Sequence, residues 1–260
     1  MTSAMRHLAG AASPKLSRSV SRFNSRGALG GMSMDDQSRE ESASFSNMIN
    51  FQDQYRRAYE SLGHPLTHRE GRSETKIQAV ERRLGFRLPK ALRDYYLVAG
   101  TERRFNHSFN NLYAPERWFI DGEKLVFMEE NQVVVLWGTE ASLEPDDDPP
   151  VFQGVNGNQI EWHLEHEPCS VFLLVMLHWQ GAFGGAMRCS GTAVVSEELV
   201  HVLDRDWPFV GEVNHKRAYS RPGRAVCFLR WEDGWRVFAG AATTRDFKAI
   251  AVELGLEWEN

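Results

Sequence analysis

The stretch from Ile77 to Gly100, IQAVERRLGFRLPKALRDYYLVAG, decides the fold class, because it reads as two short helices meeting at a tight junction. Ile77, Val80 and Leu84 recur at three- and four-residue intervals and so share one helical face. Ser73 precedes them, where a side-chain oxygen accepts from the free N–H groups of a first turn. Glu74 sits where the positive end of the helix dipole favours an anion. Gly85 follows Leu84, where a left-handed residue ends a helix without a Cβ penalty. Pro89 opens a second helix at its first position, where a missing N–H loses no intrahelical bond. Leu92, Tyr96 and Ala99 form the second buried stripe, and Gly100 ends it.

Toward the C-terminus the period changes. Trp118-Phe119-Ile120, Leu125-Val126-Phe127 and Val133-Val134-Val135-Leu136-Trp137 are short β-branched and aromatic runs separated by turn residues, which predicts strands. Asp121-Gly122 predicts a turn between the first two. Glu144 to Pro150 (EPDDDPP) cannot pair inside a sheet, because each proline lacks a donor. Strand-like pieces resume from Val151 to Trp162. Val171 to Leu177 is apolar throughout and continues to Trp179, and periodicity alone does not separate buried helix from central strand there. Its length and the preceding Pro168-Cys169-Ser170 favour helix, broken by Gly181, Gly184 and Gly185. Ala225–Trp231 and Trp235–Ala239 flank Glu232-Asp233-Gly234 as a hairpin. Thr244 caps a final helix, Arg245 to Leu254, closed by Gly255.

Toward the N-terminus, Phe51, Tyr55, Tyr59 and Leu62 predict a helix over 48–62, stopped by Gly63-His64-Pro65. Helices first, strands in the middle and one helix last define an α+β fold in a single domain over 48–260. Residues 1–47 read as a disordered basic leader and a polar linker. Residues 1–34 carry Arg6, Lys15, Arg18, Arg22 and Arg26 and no acid, a charge of +5, so with a net charge of -5 the remaining chain holds -10. The leader lacks the apolar block of a secretory signal. It suits an organelle transit peptide, a plain tail, or an extension upstream of a start at Met32 or Met34.

An acidic folded portion repels phosphate backbones, which argues against nucleic acid as a partner. No apolar stretch reaches the ~20 residues of a membrane span. Cys169, Cys189 and Cys227 form no disulfide framework and read as buried reduced thiols, placing the protein in the cytoplasm.

Glu81, Leu84, Gly85, Leu88, Pro89 and Gly100 resemble the opening signature of the SUKH superfamily, which includes fungal cell-wall-assembly regulators and bacterial toxin-immunity proteins. A second block, Leu125 to Val133 through Trp137-Gly138, resembles the family's central strand pair, with its acidic-Asn-Gln turn. The match runs over about residues 74–180. The resemblance implies a mixed, mostly antiparallel sheet with helices packed on one side, and a cleft for a protein partner. It also implies a non-enzymatic role without cofactor, in which a partner is bound and occluded.

Chemistry-bearing motifs are sparse. No G-x-S-x-G, nucleotide loop or dinucleotide fingerprint is present. His163, His166 and Cys169 are the best metal candidate, but structural zinc needs four ligands and no second compact pair follows. Asp146, Asp147 and Asp148 lack the alternating spacing of a calcium loop and read as a solvated acidic turn that steers a basic partner. Glu129 and Glu130, adjacent on a strand, point to opposite faces. Trp137 and Trp179 read as core, whereas Trp118 and Trp162 stand beside polar segments as candidate exposed anchors. The expected site is therefore a partner-binding cleft formed by Trp118, Glu130, Asn131, Gln132 and Trp137, with Asp146, Asp147 and Asp148 beside it. Its expected occupant is a protein such as a basic toxin domain. The rival reading is a hydrolase or metal-dependent enzyme built on His163, His166 and residues 146–148.

Overall fold

In the computed structural model, which describes residues 50–231 and 234–259, Gly85 adopts the left-handed conformation (φ 86°) and its N–H closes on the Glu81 carbonyl. It separates helix α2 (Glu74–Leu84) from α3 (Lys90–Ala99). Ser73 is the N-cap of α2 but makes no side-chain capping bond, and Pro89 is the N-cap of α3, one position before its expected place. Glu74 instead pairs with Arg93 of α3, which also reaches Glu81 at 3.4 Å, so charge ties the two helices across their junction. Helix α1 (Phe51–Ser61) buries Phe51, Tyr55 and Tyr59. The Tyr59 and Tyr95 hydroxyls lie 2.9 Å apart, and Tyr95 donates to Asn106 Oδ1 in the short α4 (Arg103–Asn106). The leader and linker over 1–47, and the first residues of the helix expected over 48–62, lie outside the described residues.

The described residues from Phe51 onward pack as one unit with two sheets. In the first, β1 (Asn111–Leu112), β3 (Lys124–Glu129), β4 (Val135–Glu140), β5 (Val151–Val155) and β6 (Glu161–His166) follow one another in space. Strand β2 (Phe119–Asp121) also pairs with β3, through the Asp121-Gly122 turn. In the second, the order is β7 (Cys189–Val195), β11 (Gly234–Ala241), β10 (Arg224–Trp231), β9 (Lys216–Arg221) and β8 (Phe209–Val213). The α+β class is as expected. The single mixed sheet is not, since there are two sheets and every recorded pairing is antiparallel.

The division comes from α5 (Cys169–Ala182), the apolar run whose helical reading holds. Being apolar on all sides, it is satisfied only when covered on all sides. Phe172 meets Phe127 and Trp137 of the first sheet, while Trp179 meets Phe238 of the second. Val171 and Val175 press on Gly211 of β8, where any Cβ would stand 2.7 Å from Val171. The second sheet is closed on its other face by α6 (Glu198–Asp206) and α7 (Thr244–Leu254), through Leu199, Leu203, Ile250 and Leu254. Thr243, not Thr244, caps α7 by accepting from the Asp246 N–H, and Gly255 ends it at φ 63°.

Candidate functional site

The first sheet presents an outward face that side chains cover only in part. Strand register aligns Phe119, Val126, Gly138, Phe152 and Leu164 in one row across β2, β3, β4, β5 and β6. Phe119 is 41% and Leu164 57% exposed. The adjacent row holds Leu136, Gly154 and Trp162. Trp162 lies on the two glycines: a Cβ on Gly154 would stand 2.9 Å from its ring, and one on Gly138 3.3 Å. Its indole N–H donates to Asp121 Oδ2 at 2.9 Å, so the ring is fixed across the sheet and half-buried. A fixed aromatic loses little rotamer entropy on binding, which suits it to an anchoring role.

Charge on this part of the chain is strongly one-sided. Residues 111–170 contain thirteen Asp and Glu but only Arg117 and Lys124 as bases. Both cations are engaged internally. Arg117 lies over the Tyr113 ring at 4.4 Å and reaches Glu129 at 3.6 Å. Lys124 lies over the Phe152 ring at 3.8 Å and reaches Glu140 at 3.5 Å. Glu123, Glu140, Glu144, Asp146, Asp147, Glu161 and Glu167 are exposed. An apolar strip of Phe119, Phe152, Trp162 and Leu164 thus belongs to a segment carrying a formal charge of -11.

The expected cleft is not formed. Trp118 is 2% and Trp137 5% exposed, the former against Tyr96 and the latter against Phe172, so neither ring is available to a partner. Trp118 was expected beside polar residues as an anchor, but the turn Pro115–Arg117 folds it inward, and Arg83 donates to its carbonyl. Glu130 is buried at 8% exposure and closes the β3–β4 turn by accepting from the Gln132 N–H at 2.8 Å. Asn131 and Gln132 are exposed at that turn. Asp148 is half-buried and acts as a cap for α5, accepting from the Ser170 N–H at 2.7 Å and its hydroxyl at 2.6 Å. Burial raises its pKa, against the lowering effect of those two bonds. Asp147 accepts the Ala91 N–H through its carbonyl, so the acidic loop is pinned to the starts of α3 and α5, with the Asp146 and Asp147 carboxylates outside.

His163 pairs across the sheet with Gln153 and His166 with Val151, with a bulge at β6 between them. His163 is exposed, and burial lowers the pKa of His166 against the pull of Glu165, Glu167 and Glu212. Among the described residues no three His, Cys, Asp or Glu side chains are grouped to hold a metal ion. Nor does any helix there have the length and apolarity to cross a membrane. The strip Phe119–Phe152–Trp162–Leu164 escaped sequence reasoning, apart from Trp162. The available signal was Gly138 and Gly154 on neighbouring strands, which leave room for a flat ring. No family model, curated protein or solved structure matches this chain.

Proposed function

We propose that this protein is a non-enzymatic binding module whose first sheet captures a basic protein partner on its outward face, in the manner the SUKH resemblance implies. The observation that carries the reading is the pairing of an exposed apolar strip with a segment of thirteen acids whose only two bases are already engaged. The apolar strip supplies the contact area, and the acids speed encounter with a positive surface and disfavour negative ones. Nucleic acid is disfavoured for the same reason. The two sequence blocks of the resemblance fold as the α2–α3 junction and the β3–β4 hairpin, each contiguous in space, which supports a SUKH-like assignment. Three unpaired cysteines support a reducing, cytoplasmic setting. Immunity toward a basic toxin and an adaptor role both use this surface.

The test is affinity capture from source cells with the unmodified chain and with a Phe119→Ser/Leu164→Asp variant. A basic protein retained by the former, released by salt and absent from the latter is the expected result. Retention by both baits places binding elsewhere, and substrate turnover without any protein partner overturns the reading.

A further inference from the structure

We propose that a second site, unrelated to the outward face, binds a single phosphoryl group in the small cavity where the end of α1, the start of α4 and the loop before β7 meet. The cavity measures about 70 Å³ and is lined on its polar side by His64, Arg104 and Arg188. Leu62, Phe105 and Met187 supply apolar wall, and no Asp or Glu lines it. Its volume is far below the ~300 Å³ at which pockets for drug-sized ligands begin, so one small anion fits and a nucleotide does not.

Three observations assign the charge of the ligand. Several arginines of the fold are matched to carboxylates, as Arg72 is to Glu116, Arg217 to Asp204 and Arg221 to Glu253. Arg104 and Arg188 make no such pair among the described residues, yet they come from distant segments to the same cavity. Glu102, which pairs with His64 Nε2 at 3.3 Å, also accepts from the N–H groups of Arg104 and Phe105. Its oxygens face those donors, and it orients the imidazole. The surrounding helical segment, residues 50–110, carries twelve Lys and Arg against seven Asp and Glu, so the local field also favours an anion. Guanidinium forks match pairs of phosphate oxygens, and an apolar wall strengthens such bonds. The phosphoryl group arrives either as free phosphate or at the end of a phosphomonoester.

Titration calorimetry of the whole chain with inorganic phosphate and with O-phosphoserine, at fixed ionic strength, tests this. At least one probe binds, and Arg104→Gln and Arg188→Gln each weaken it tenfold or more, while Arg82→Gln on α2 leaves it unchanged. The tighter probe identifies free phosphate or a phosphomonoester as the source. In the unmutated protein the same probe shields Arg104 and Arg188, but not Arg82, from phenylglyoxal, as read by peptide mapping. No binding of either probe overturns the proposal, as does binding that both arginine variants leave intact.

Discussion

Trp162 on β6 donates its indole N–H to Asp121 on β2 at 2.9 Å, although β3, β4 and β5 lie between them in the order of the sheet. The reach depends on Gly154 and Gly138, which leave the ring a floor without side chains. A Cβ at Gly154 would also stand 2.4 Å from the Ile160 side chain, so Gly154→Ala must displace either Ile160 or the ring. Overpacking of this kind costs about 1–3 kcal/mol. Asp121→Ala, which removes only the acceptor, costs about 1 kcal/mol. Urea melts of both variants measure the difference; a neutral Gly154→Ala would show that the ring does not rest there.

His178 gives a pH signature. It is buried in α5, with Nδ1 on the Leu174 carbonyl at 2.7 Å, and burial lowers its pKa to about 4. A depressed histidine pKa means the unfolded chain takes up the proton first, so stability falls as pH drops from about 6.5 toward 4. Between pH 7 and pH 5 this one group removes about 2 kcal/mol. His178→Leu flattens that part of the profile, measured as the difference between the two stability curves.

Asp148 holds the first turn of α5 through two bonds from Ser170. Asp148→Ala costs about 1 kcal/mol, as loss of a helix cap does. Asp147→Ala leaves stability within about 0.5 kcal/mol, because its carboxylate is exposed and its anchoring group is the backbone carbonyl. Chemical denaturation separates a structural acid from a surface one within the same tripeptide.

The cysteines report on packing. Cys169 and Cys227 are buried, and burial pushes the Cys227 thiol up to about 12 and the Cys169 thiol higher still. Cys189 is partly exposed, near the Thr244 hydroxyl. A thiol reagent at neutral pH modifies Cys189 rapidly in the native protein, and all three cysteines only after unfolding. Fast native modification at Cys169 would contradict the central placement of α5.

Local chemistry carried most of the fold in the sequence. Gly85, Gly255 and the Asp121-Gly122 turn are where backbone rules place them, and the strands around Ala225–Trp231 and Trp235–Ala239 pair antiparallel as expected, with Gly234 joining the ladder opposite Trp231. Residues 189–221 were not legible as β7, α6, β8 and β9. The β8–β9 turn uses Asn214 and His215 at positive φ, without the glycine that would mark such a turn in sequence. The site was less legible than the fold. Burial of Trp118 depends on Tyr96, a residue 22 positions earlier in sequence, and no local rule reaches that far. The outward strip depends on cross-strand register, which becomes visible only once the sheet is assembled.

The central claim is that the outward face of the first sheet is the protein-binding surface. Its most direct test replaces Phe119, Leu164 and, as a still more exposed apolar control on α7, Val252 with a photo-crosslinking phenylalanine in source cells. The account predicts adducts with the same basic protein from positions 119 and 164 and none from 252. An adduct with that protein from 252, with none from 119 or 164, would contradict it.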